Sequence, residues 1–427
     1  METCRVSFPP VEQPIPIGQK YVITDNNVAY LTHNIHKFPS KFIPQIPRWA
    51  ISKHLGERTN CSILDPMCGS GTTLVEGLLS NHYVYGVDID PLARLISKVK
   101  TTPLNDTELI TVVEEVTKQV LLKKKGKFLP SIPTLYHWFT KENAEDLSVI
   151  RDVIEVHRGR KDIYDFLLVT FSSIIRKVSN ADDETQKTYV SHTNPKNPPR
   201  AKPEFIKNLS VYMERLREFA RRKPAGVEAT VLEGDARRID TLFAARGVGK
   251  VDLAITSPPY VKAVDYIYTQ MAEYFWIGDL FGLATQKEQN SFKRQYIGTK
   301  MIYAKEYNDL RLCGLKSVDP TIKKIYKKNR KFAYITYKFF QDLRSNLISM
   351  HKVLKENAHY VIVVGDCNVA GYPISVHRIL MDLAKQEGYS VASLFSYAIR
   401  NRYMRFPRNG RGGLIENDWV VDLKRVQ

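Results

Sequence analysis

The stretch Ser62-Ile63-Leu64-Asp65-Pro66-Met67-Cys68-Gly69-Ser70-Gly71-Thr72-Thr73 joins a short apolar run to a glycine-rich turn and the start of an apolar-periodic helix, residues 72–79. A second apolar run follows at residues 83–88, and Pro91 then opens a helix over residues 91–99. Strand, helix and strand at this spacing indicate a parallel βαβ unit with a right-handed crossover. The sequence therefore predicts an α/β protein with a mostly parallel, doubly wound sheet.

The glycine-rich turn lies at the carboxyl end of the first strand, where doubly wound sheets bind ligands. Its small residues let a ligand approach the backbone, and the helix N-terminus offers free N–H groups to a carboxylate. Gly69 and Gly71 form a pattern shorter than the dinucleotide fingerprint. Asp65 disfavours a pyrophosphate and would accept an ammonium group. The predicted cofactor contacts here are Asp65, Cys68, Gly69, Ser70, Gly71 and Thr72.

Two further acids end the next predicted strands. Asp88 is placed to bind ribose hydroxyls, and Asp235, after the apolar residues 230–232, to accept from an adenine amine. Either alone could be an ordinary strand-end acid or helix cap, and Asp90 competes for the ribose role, although it fits better as the cap before Pro91. An amino-acid end, a ribose and an adenine together describe S-adenosylmethionine (SAM).

A second motif, Thr256-Ser257-Pro258-Pro259-Tyr260, follows the apolar residues 251–255. Proline lacks an N–H and holds the preceding residue extended, which leaves carbonyls without ladder partners. Those carbonyls and the Ser257 hydroxyl could accept from an exocyclic amine, while Tyr260 stacks on the base. The alternative is a strand-end turn in which Tyr260 only packs.

With these two motifs the chain resembles the SAM-dependent DNA amino-methyltransferases of restriction-modification type, particularly the cytosine-N4 enzymes. The resemblance implies a class I Rossmann-like domain with a C-terminal antiparallel hairpin. It also implies that Phe38 and Pro39, in the segment of residues 36–44, lie near the methionine end of SAM and that Thr256 borders the cofactor. Catalysis would fall to Ser257, Pro258, Pro259 and Tyr260.

The resemblance further implies a flipped cytosine in double-stranded DNA as substrate and a cognate restriction endonuclease as functional partner. Here the glycine turn precedes the Ser-Pro-Pro-Tyr motif, whereas many such enzymes have the reverse order. The family pattern therefore does not locate the target-recognition segment.

Several other activities compete. Carbon-5 cytosine methylation needs a cysteine after a proline, and no Pro-Cys occurs. Adenine-N6 methylation shares the geometry but more often carries aspartate at the position of Ser257. An RNA amino-methyltransferase is less expected, since no separate RNA-binding module is recognisable in the sequence. A SAM-binding or DNA-binding protein without activity remains open because a fold does not prove a chemistry.

The formal net charge of +18 favours a polyanionic partner over a merely basic surface. Residues 286–331 are rich in Lys, Arg and Tyr, and a basic glycine-rich connection spans residues 400–413. We expect DNA contacts there, although a solvated helix face is the alternative for the first region. The predicted DNA-binding residues are Lys323, Lys324, Lys327, Lys328, Arg400, Arg402 and Arg405.

The length of 427 residues predicts one elaborated domain or two. We divide the chain into an N-terminal flank with the first half of the catalytic domain (1–100), a helical insertion with a polar loop at 179–203 (101–226), a second catalytic part (227–284), a basic insertion (285–331) and a final catalytic part (332–427).

Five cysteines without close pairing indicate neither disulfides nor a zinc site, and no metal is predicted. The N-terminus lacks a signal-peptide pattern, and no apolar run is long enough to span a bilayer. We therefore expect a soluble protein of the bacterial or archaeal cytoplasm that acts on nucleoid DNA and does not bind membranes.

Overall fold

A computed structural model of the chain describes residues 3–39, 41–183, 185, 188–261, 265–399 and 416–426. Within these residues the strands form one nine-stranded sheet and one two-stranded ribbon. The strands are β1 (Thr3–Val6), β2 (Gln19–Ile23), β3 (Ser62–Asp65), β4 (Tyr83–Asp88), β5 (Ala229–Glu233), β6 (Val251–Thr256), β7 (Leu354–Gly365), β8 (Cys367–Val369), β9 (Tyr372–Ile374), β10 (Tyr389–Ala398) and β11 (Asn417–Arg425).

The large sheet has the order β1-β2-β10-β11-β7-β6-β3-β4-β5. Strands β3 to β7 are parallel to one another, while β11 runs antiparallel between β7 and β10. The parallel sheet with an antiparallel C-terminal hairpin confirms the predicted architecture. Because the chain leaves β3 toward β4 on one side and β6 lies on the other, a crevice opens at the carboxyl ends of β3 and β6.

Helices flank the sheet. They are α1 (Gln45–Leu55), α2 (Thr72–Leu79), α3 (Pro91–Thr101), α4 (Asp106–Leu122), α5 (Leu135–Trp138), α6 (Lys141–Glu155), α7 (Lys161–Val178), α8 (Ala201–Arg222), α9 (Ile239–Arg246), α10 (Tyr266–Thr269), α11 (Met271–Ile277), α12 (Gln286–Lys293), α13 (Asp319–Lys328), α14 (Arg330–Val353) and α15 (Val376–Gln386). No helix in the described ranges is long and apolar enough to cross a membrane.

The central strands bury side chains on both faces, as parallel strands covered by helices do. Ile63, Leu253 and Val361 pack in one cluster with residues of α1 and α2. Their sequence neighbours Leu64 and Ala254 point the other way, into a cluster with residues of α14 and α15. The period of two along each strand therefore assigns every central side chain to one of two helical layers.

The N-terminal segment adds β1 and β2 to the sheet edge beside β10. Along β2 the side chains of Tyr21 and Ile23 are buried and alternate with more exposed ones, so the period of two is present but extends over only five residues. A strand that short is not recognisable without its partner.

Helices α4 to α8 lie between β4 and β5 along the chain. Their apolar faces form a core with α3 and α11, in which Phe166 and Phe171 of α7 and Trp276 of α11 are fully buried. The polar segment before α8 has one isolated bridge, between Ala181 and Val190, and otherwise no regular structure in its described residues.

Candidate active site

An open pocket of about 760 Å³ lies at the carboxyl ends of the parallel strands. Ten of the predicted site residues line it: Phe38, Pro39, Cys68, Gly69, Ser70, Thr72, Asp88, Asp235, Ser257 and Pro259. Five others are absent from the lining: Asp65, Gly71, Thr256, Pro258 and Tyr260. The fold thus brings parts of both sequence motifs to one cavity, although they are far apart in sequence.

The glycine turn owes its shape to two left-handed residues. Gly69 has φ 49° and Gly71 has φ 79°, values that side chains rarely adopt. A Cβ on Gly71 would also lie 3.0 Å from Oγ of Ser97 and 3.2 Å from its Cα. Gly71 therefore serves close packing of α2 on α3, while Gly69 leaves room at the pocket wall.

The buried hydroxyl of Ser70 is a group that could bind the carboxylate of an amino-acid ligand in the pocket. Its side chain is buried on the pocket lining, and its Oγ makes no hydrogen bond among the described residues. A buried hydroxyl without a partner is costly unless a ligand or water satisfies it. At the N-terminus of α2, this donor fits a carboxylate, as SAM would require.

Asp88 faces the pocket with its carboxylate held by the backbone. Oδ2 accepts from the Gly69 N–H at 2.8 Å, and Oδ1 accepts from the Asp90 N–H at 2.9 Å. Burial, with the nearby Asp90 charge, raises the pKa of Asp88 to about 7, although these hydrogen bonds act in the opposite direction. The remaining lone pairs can accept from ligand hydroxyls.

Asp90 caps α3, as the sequence indicates: its Oδ1 accepts from the Ala93 N–H at 2.9 Å. Two phenols also donate to this carboxylate, Tyr274 at 3.1 Å and Tyr296 at 2.6 Å. Both Asp90 and Asp88 line the pocket and accept on their two oxygens from protein groups, Asp90 from three donors and Asp88 from two.

Asp235 lines the pocket, but its carboxylate is paired with a neighbour along the chain. Arg237 donates from Nη2 to Oδ2 at 2.6 Å and from Nε to Oδ1 at 2.8 Å. Burial raises the pKa of Asp235, but the hydrogen bonds from Arg237 lower it by more. The pKa of Asp235 therefore lies below its ordinary value. The side chain remains 33% exposed, so a ligand amine would share this carboxylate with Arg237.

Asp65 is buried behind the lining and joins the two motifs. Oδ1 accepts from Oγ1 of Thr256 at 2.7 Å, and Oδ2 accepts from Oγ1 of Thr73 at 2.7 Å. Burial raises the pKa of Asp65 to about 6 despite these bonds. In the structure this carboxylate links the end of β3 to β6 and to α2, whereas the sequence suggested an acceptor for an ammonium group in the cavity.

The second motif presents Ser257 and Pro259 to the pocket just beyond the end of β6. Tyr260 is partly buried next to them, and its hydroxyl donates to Oδ1 of Asp418 on β11 at 3.2 Å. Oδ2 of Asp418 accepts from Tyr397 on β10 at 3.3 Å. The tyrosine of the motif is thus fixed to the C-terminal hairpin.

The pocket wall also contains aromatic residues that were not predicted as site residues. The ring of Tyr266 stacks on Phe38 with centroids 6.0 Å apart and on Tyr296 with centroids 5.5 Å apart. Lys41 and Gln295 lie on the same lining. The density of aromatic residues in 266–276 was the available signal for Tyr266. Nothing local indicates Tyr296, which was placed in the basic insertion.

The predicted DNA-binding lysines share one face of α13. Lys323, Lys324, Lys327 and Lys328 are exposed, whereas Ile322 and Ile325 on the opposite face are buried. Arg400, Arg402 and Arg405 lie outside the described residues.

Residues 49–116 match a family model described as an RMKL-like methyltransferase domain. The type II methyltransferase M.MvaI of Kocuria varians is 26% identical over 431 residues, covering 94% of this chain and 91% of that protein. The type II methyltransferase M.MjaII of Methanocaldococcus jannaschii is 22% identical over 424 residues, covering 78% and 72%. Among solved structures, the rRNA methyltransferase aviRa of Streptomyces viridochromogenes has a TM-score of 0.35 at 11% identity, covering 91% of this chain and 88% of that one.

The sequence matches support a methyltransferase of restriction-modification type, and together with the fold they imply use of SAM. The strand order described above is that of a class I Rossmann-like methyltransferase. The TM-score of 0.35 is too low to inform on substrate.

Proposed function

We propose that the protein transfers a methyl group from SAM to the exocyclic N4 amine of a flipped-out cytosine at a specific sequence of double-stranded DNA. One observation carries the proposal: Ser257 and Pro259 share a cavity with Gly69 and Asp88. Acceptors for an amine and groups suited to SAM therefore face one another. The relatives named type II methyltransferases, and the net charge of +18, favour DNA as the substrate.

Binding of the cofactor would use groups already oriented by the fold. The Ser70 hydroxyl and the N-terminus of α2 would hold the methionine carboxylate, and Asp88 would accept from the ribose hydroxyls. Phe38 and Pro39 would border the methionine end. When bound, SAM supplies an electrophilic methyl group on a positively charged sulfur.

The reacting amine must be oriented because its lone pair is delocalised into the pyrimidine ring. The Ser257 hydroxyl and the Pro258 carbonyl would accept from the two amine hydrogens, which localises the lone pair and points it toward the methyl donor. Orientation of this kind is worth ~7–11 kcal/mol in favourable cases. Most of the rate acceleration would come from it.

The base must leave the duplex to reach this pocket, at a cost of a few kcal/mol. Stacking on Tyr260 would return about 1–3 kcal/mol of that cost. The hydrogen bond from Tyr260 to Asp418 fixes the position of the phenol. The exposed lysines of α13 would bind DNA phosphates, and a cognate restriction endonuclease is the expected functional partner.

The test incubates the protein with methyl-labelled SAM and mixed-sequence duplex DNA, followed by mass spectrometry of the released nucleosides. We expect N4-methylcytosine. Detection of N6-methyladenine alone would identify adenine, not cytosine, as the target base. If SAM binding is measured but no labelled nucleoside is found, the enzymatic proposal is overturned.

A variant assigns the role of Ser257. Ser257→Ala should lower the methylation rate roughly 100-fold, within the range for loss of one oriented hydrogen-bonding group, and leave the Kd for SAM unchanged. Ser210→Ala, at an exposed position of α8, is the matched control. Equal rates for the two variants would exclude Ser257 from catalysis.

A further inference from the structure

We infer that His54, His359 and Asp422 form a binding site for a divalent transition metal of the Zn²⁺ class, separate from the candidate active site. The ligand atoms of the three side chains all lie within 4.8 Å of one another. None of the three lines the pocket described above. Two imidazoles and one carboxylate, with water as fourth ligand, are a donor set that Zn²⁺ accepts.

The fold places these residues on the same side of the sheet. Asp422 of β11 pairs with Val361 of β7, and His359 lies two residues before Val361 on the same strand face. Val361 packs in the cluster that contains residues of α1. His54 belongs to the last turn of α1, so it meets the two strand residues from the helical layer above them.

Asp422 is a buried anion that lacks a permanent cation. Its side chain is 3% exposed, and within the described ranges its ion pairs are with the two histidines only. A carboxylate buried to this extent requires a positive partner.

The two imidazoles lie against each other. Their rings stack with centroids 3.8 Å apart and an interplanar angle of 19°. The neutral imidazole is the form in which histidine binds metals.

One nitrogen is in the position that a metal ligand would take. Nε2 of His54 is buried and lies 3.2 Å from Oδ2 of Asp422, yet it makes no hydrogen bond among the described residues. Two ligand atoms of a tetrahedral zinc, each about 2.0 Å from the metal, are about 3.3 Å apart. The separation therefore matches an edge of a zinc tetrahedron.

Binding requires one rearrangement at His359. Its Nδ1 donates to Oδ1 of Asp422 at 2.7 Å, because a carboxylate can only accept. To bind the metal through Nδ1, the ring would change tautomer, its proton moving through solvent to Nε2, and the pair would separate by about half an ångström. The His359 side chain is 19% exposed, which gives water access. Ser393 donates to Oδ2 of Asp422 at 3.3 Å and orients the carboxylate, as partners of metal ligands commonly do.

The bound metal would tie α1 to β7 and β11, joining elements from the two ends of the chain. The cysteine spacing in the sequence predicts no metal, and these three ligands belong to elements that only the fold brings together. A comparison is available in His377, which pairs with Asp366 at 2.8 Å and, within the described ranges, belongs to no cluster with a second histidine.

The experiment uses the full chain without an affinity tag, stripped with a chelator and titrated with Zn²⁺ against a chromophoric indicator. We expect one equivalent of Zn²⁺ to bind and to raise the melting temperature. Co²⁺ should give the visible absorption of a tetrahedral nitrogen and oxygen site. Changes around a metal's ligands cost roughly 10–100-fold in affinity. His54→Gln and His359→Gln should therefore weaken binding at least about tenfold.

His377→Gln is the matched control and should bind as the wild type does. The proposal is overturned if the wild type takes up no stoichiometric Zn²⁺, or if His54→Gln and His359→Gln bind as tightly as His377→Gln. If circular dichroism shows that the glutamine variants do not fold, the metal site is tested instead with Asp422→Asn and with the Co²⁺ spectrum of the wild type. A wild-type spectrum without tetrahedral bands would then reject the site.

Discussion

The hydroxyl of Tyr260 donates a hydrogen bond to Oδ1 of Asp418, across the space between the end of β6 and the start of β11. Burial raises the pKa of Asp418 to about 6, so the carboxylate is mostly ionised at neutral pH. Hydrogen bonds to ionised groups are the stronger ones. The aromatic residue expected to stack on a base is thus oriented by a residue from the far end of the chain.

Loss of this bond should slow methylation. A hydrogen bond to a charged group is worth about 1.5–3 kcal/mol. Each 1.36 kcal/mol added to the activation barrier lowers the rate tenfold. Tyr260→Phe should therefore lower kcat roughly 10–100-fold. The measurement is steady-state methylation of duplex DNA. Tyr397→Phe removes the other phenol from the same carboxylate and is the control. Equal kcat values for the two variants would contradict a role in orienting the base.

Removal of the Thr256 hydroxyl should destabilise the protein through Asp65. Thr256→Val leaves Oδ1 of this buried carboxylate with only the Met67 N–H, at 3.2 Å. A hydrogen bond to a charged group is worth about 1.5–3 kcal/mol, so its loss should appear in urea unfolding as a lower midpoint. Thr111→Val, at an exposed position of α4, is the reference. The Asp65 link would be irrelevant to stability if the two variants unfolded at the same urea concentration.

The affinity for SAM should fall as the pH drops below about 7. Asp88 has a pKa of about 7 in the folded protein, and only the ionised carboxylate accepts fully from ribose hydroxyls. Titration calorimetry between pH 6 and 8 measures this, and Asp88→Asn should remove the pH dependence. The exposed Asp309→Asn should keep it. A Kd that is constant with pH in the wild type would remove Asp88 from the ribose contact.

Stability has the opposite pH dependence at the same residue. The pKa of Asp88 rises from about 3.9 in the unfolded chain, so its favourable contribution is present below pH ~4 and is lost as the pH rises toward 7. Asp88→Asn should therefore become more stable relative to the wild type across that interval in urea unfolding. A stability difference independent of pH would contradict the raised pKa.

Neutralising the α13 lysines should reduce the salt dependence of DNA binding. Each lost phosphate contact lowers the slope of log K against log salt by about 0.9. The variant replaces Lys323, Lys324, Lys327 and Lys328 by glutamine. The control makes the same change in charge at four exposed lysines of the helical insertion: Lys118, Lys124, Lys125 and Lys127. If both variants gave the same slope, α13 would not be the DNA-contacting surface.

The local elements could be predicted because their signals are local. The strand β3 and the helix α2 have the bounds expected from the apolar period and the glycine turn. The carboxyl ends of parallel strands meet at one edge, which is why Asp88, Asp235 and Ser257 were expected near one pocket and line it.

The roles of individual carboxylates could not be predicted, because they depend on the donors that packing supplies. Both oxygens of Asp65 accept from threonine hydroxyls, and one of these, Thr256, is brought there only by the pairing of β3 with β6. Tyr296 reaches Asp90 in a similar way. The sequence identifies which residues carry a carboxylate, but tertiary contacts decide which donors form hydrogen bonds with it.

The edge pairing of β2 with β10 has a consequence for biosynthesis. Residues 19–21 pair with residues 395–397, so the N-terminal strand leaves the ribosome long before its partner is made. At about 5–20 residues per second, that interval is on the order of 20–75 s. During translation the nascent β2 has β1 beside it but must wait for β10, so this side of the sheet is completed only after most of the residues between them have been made.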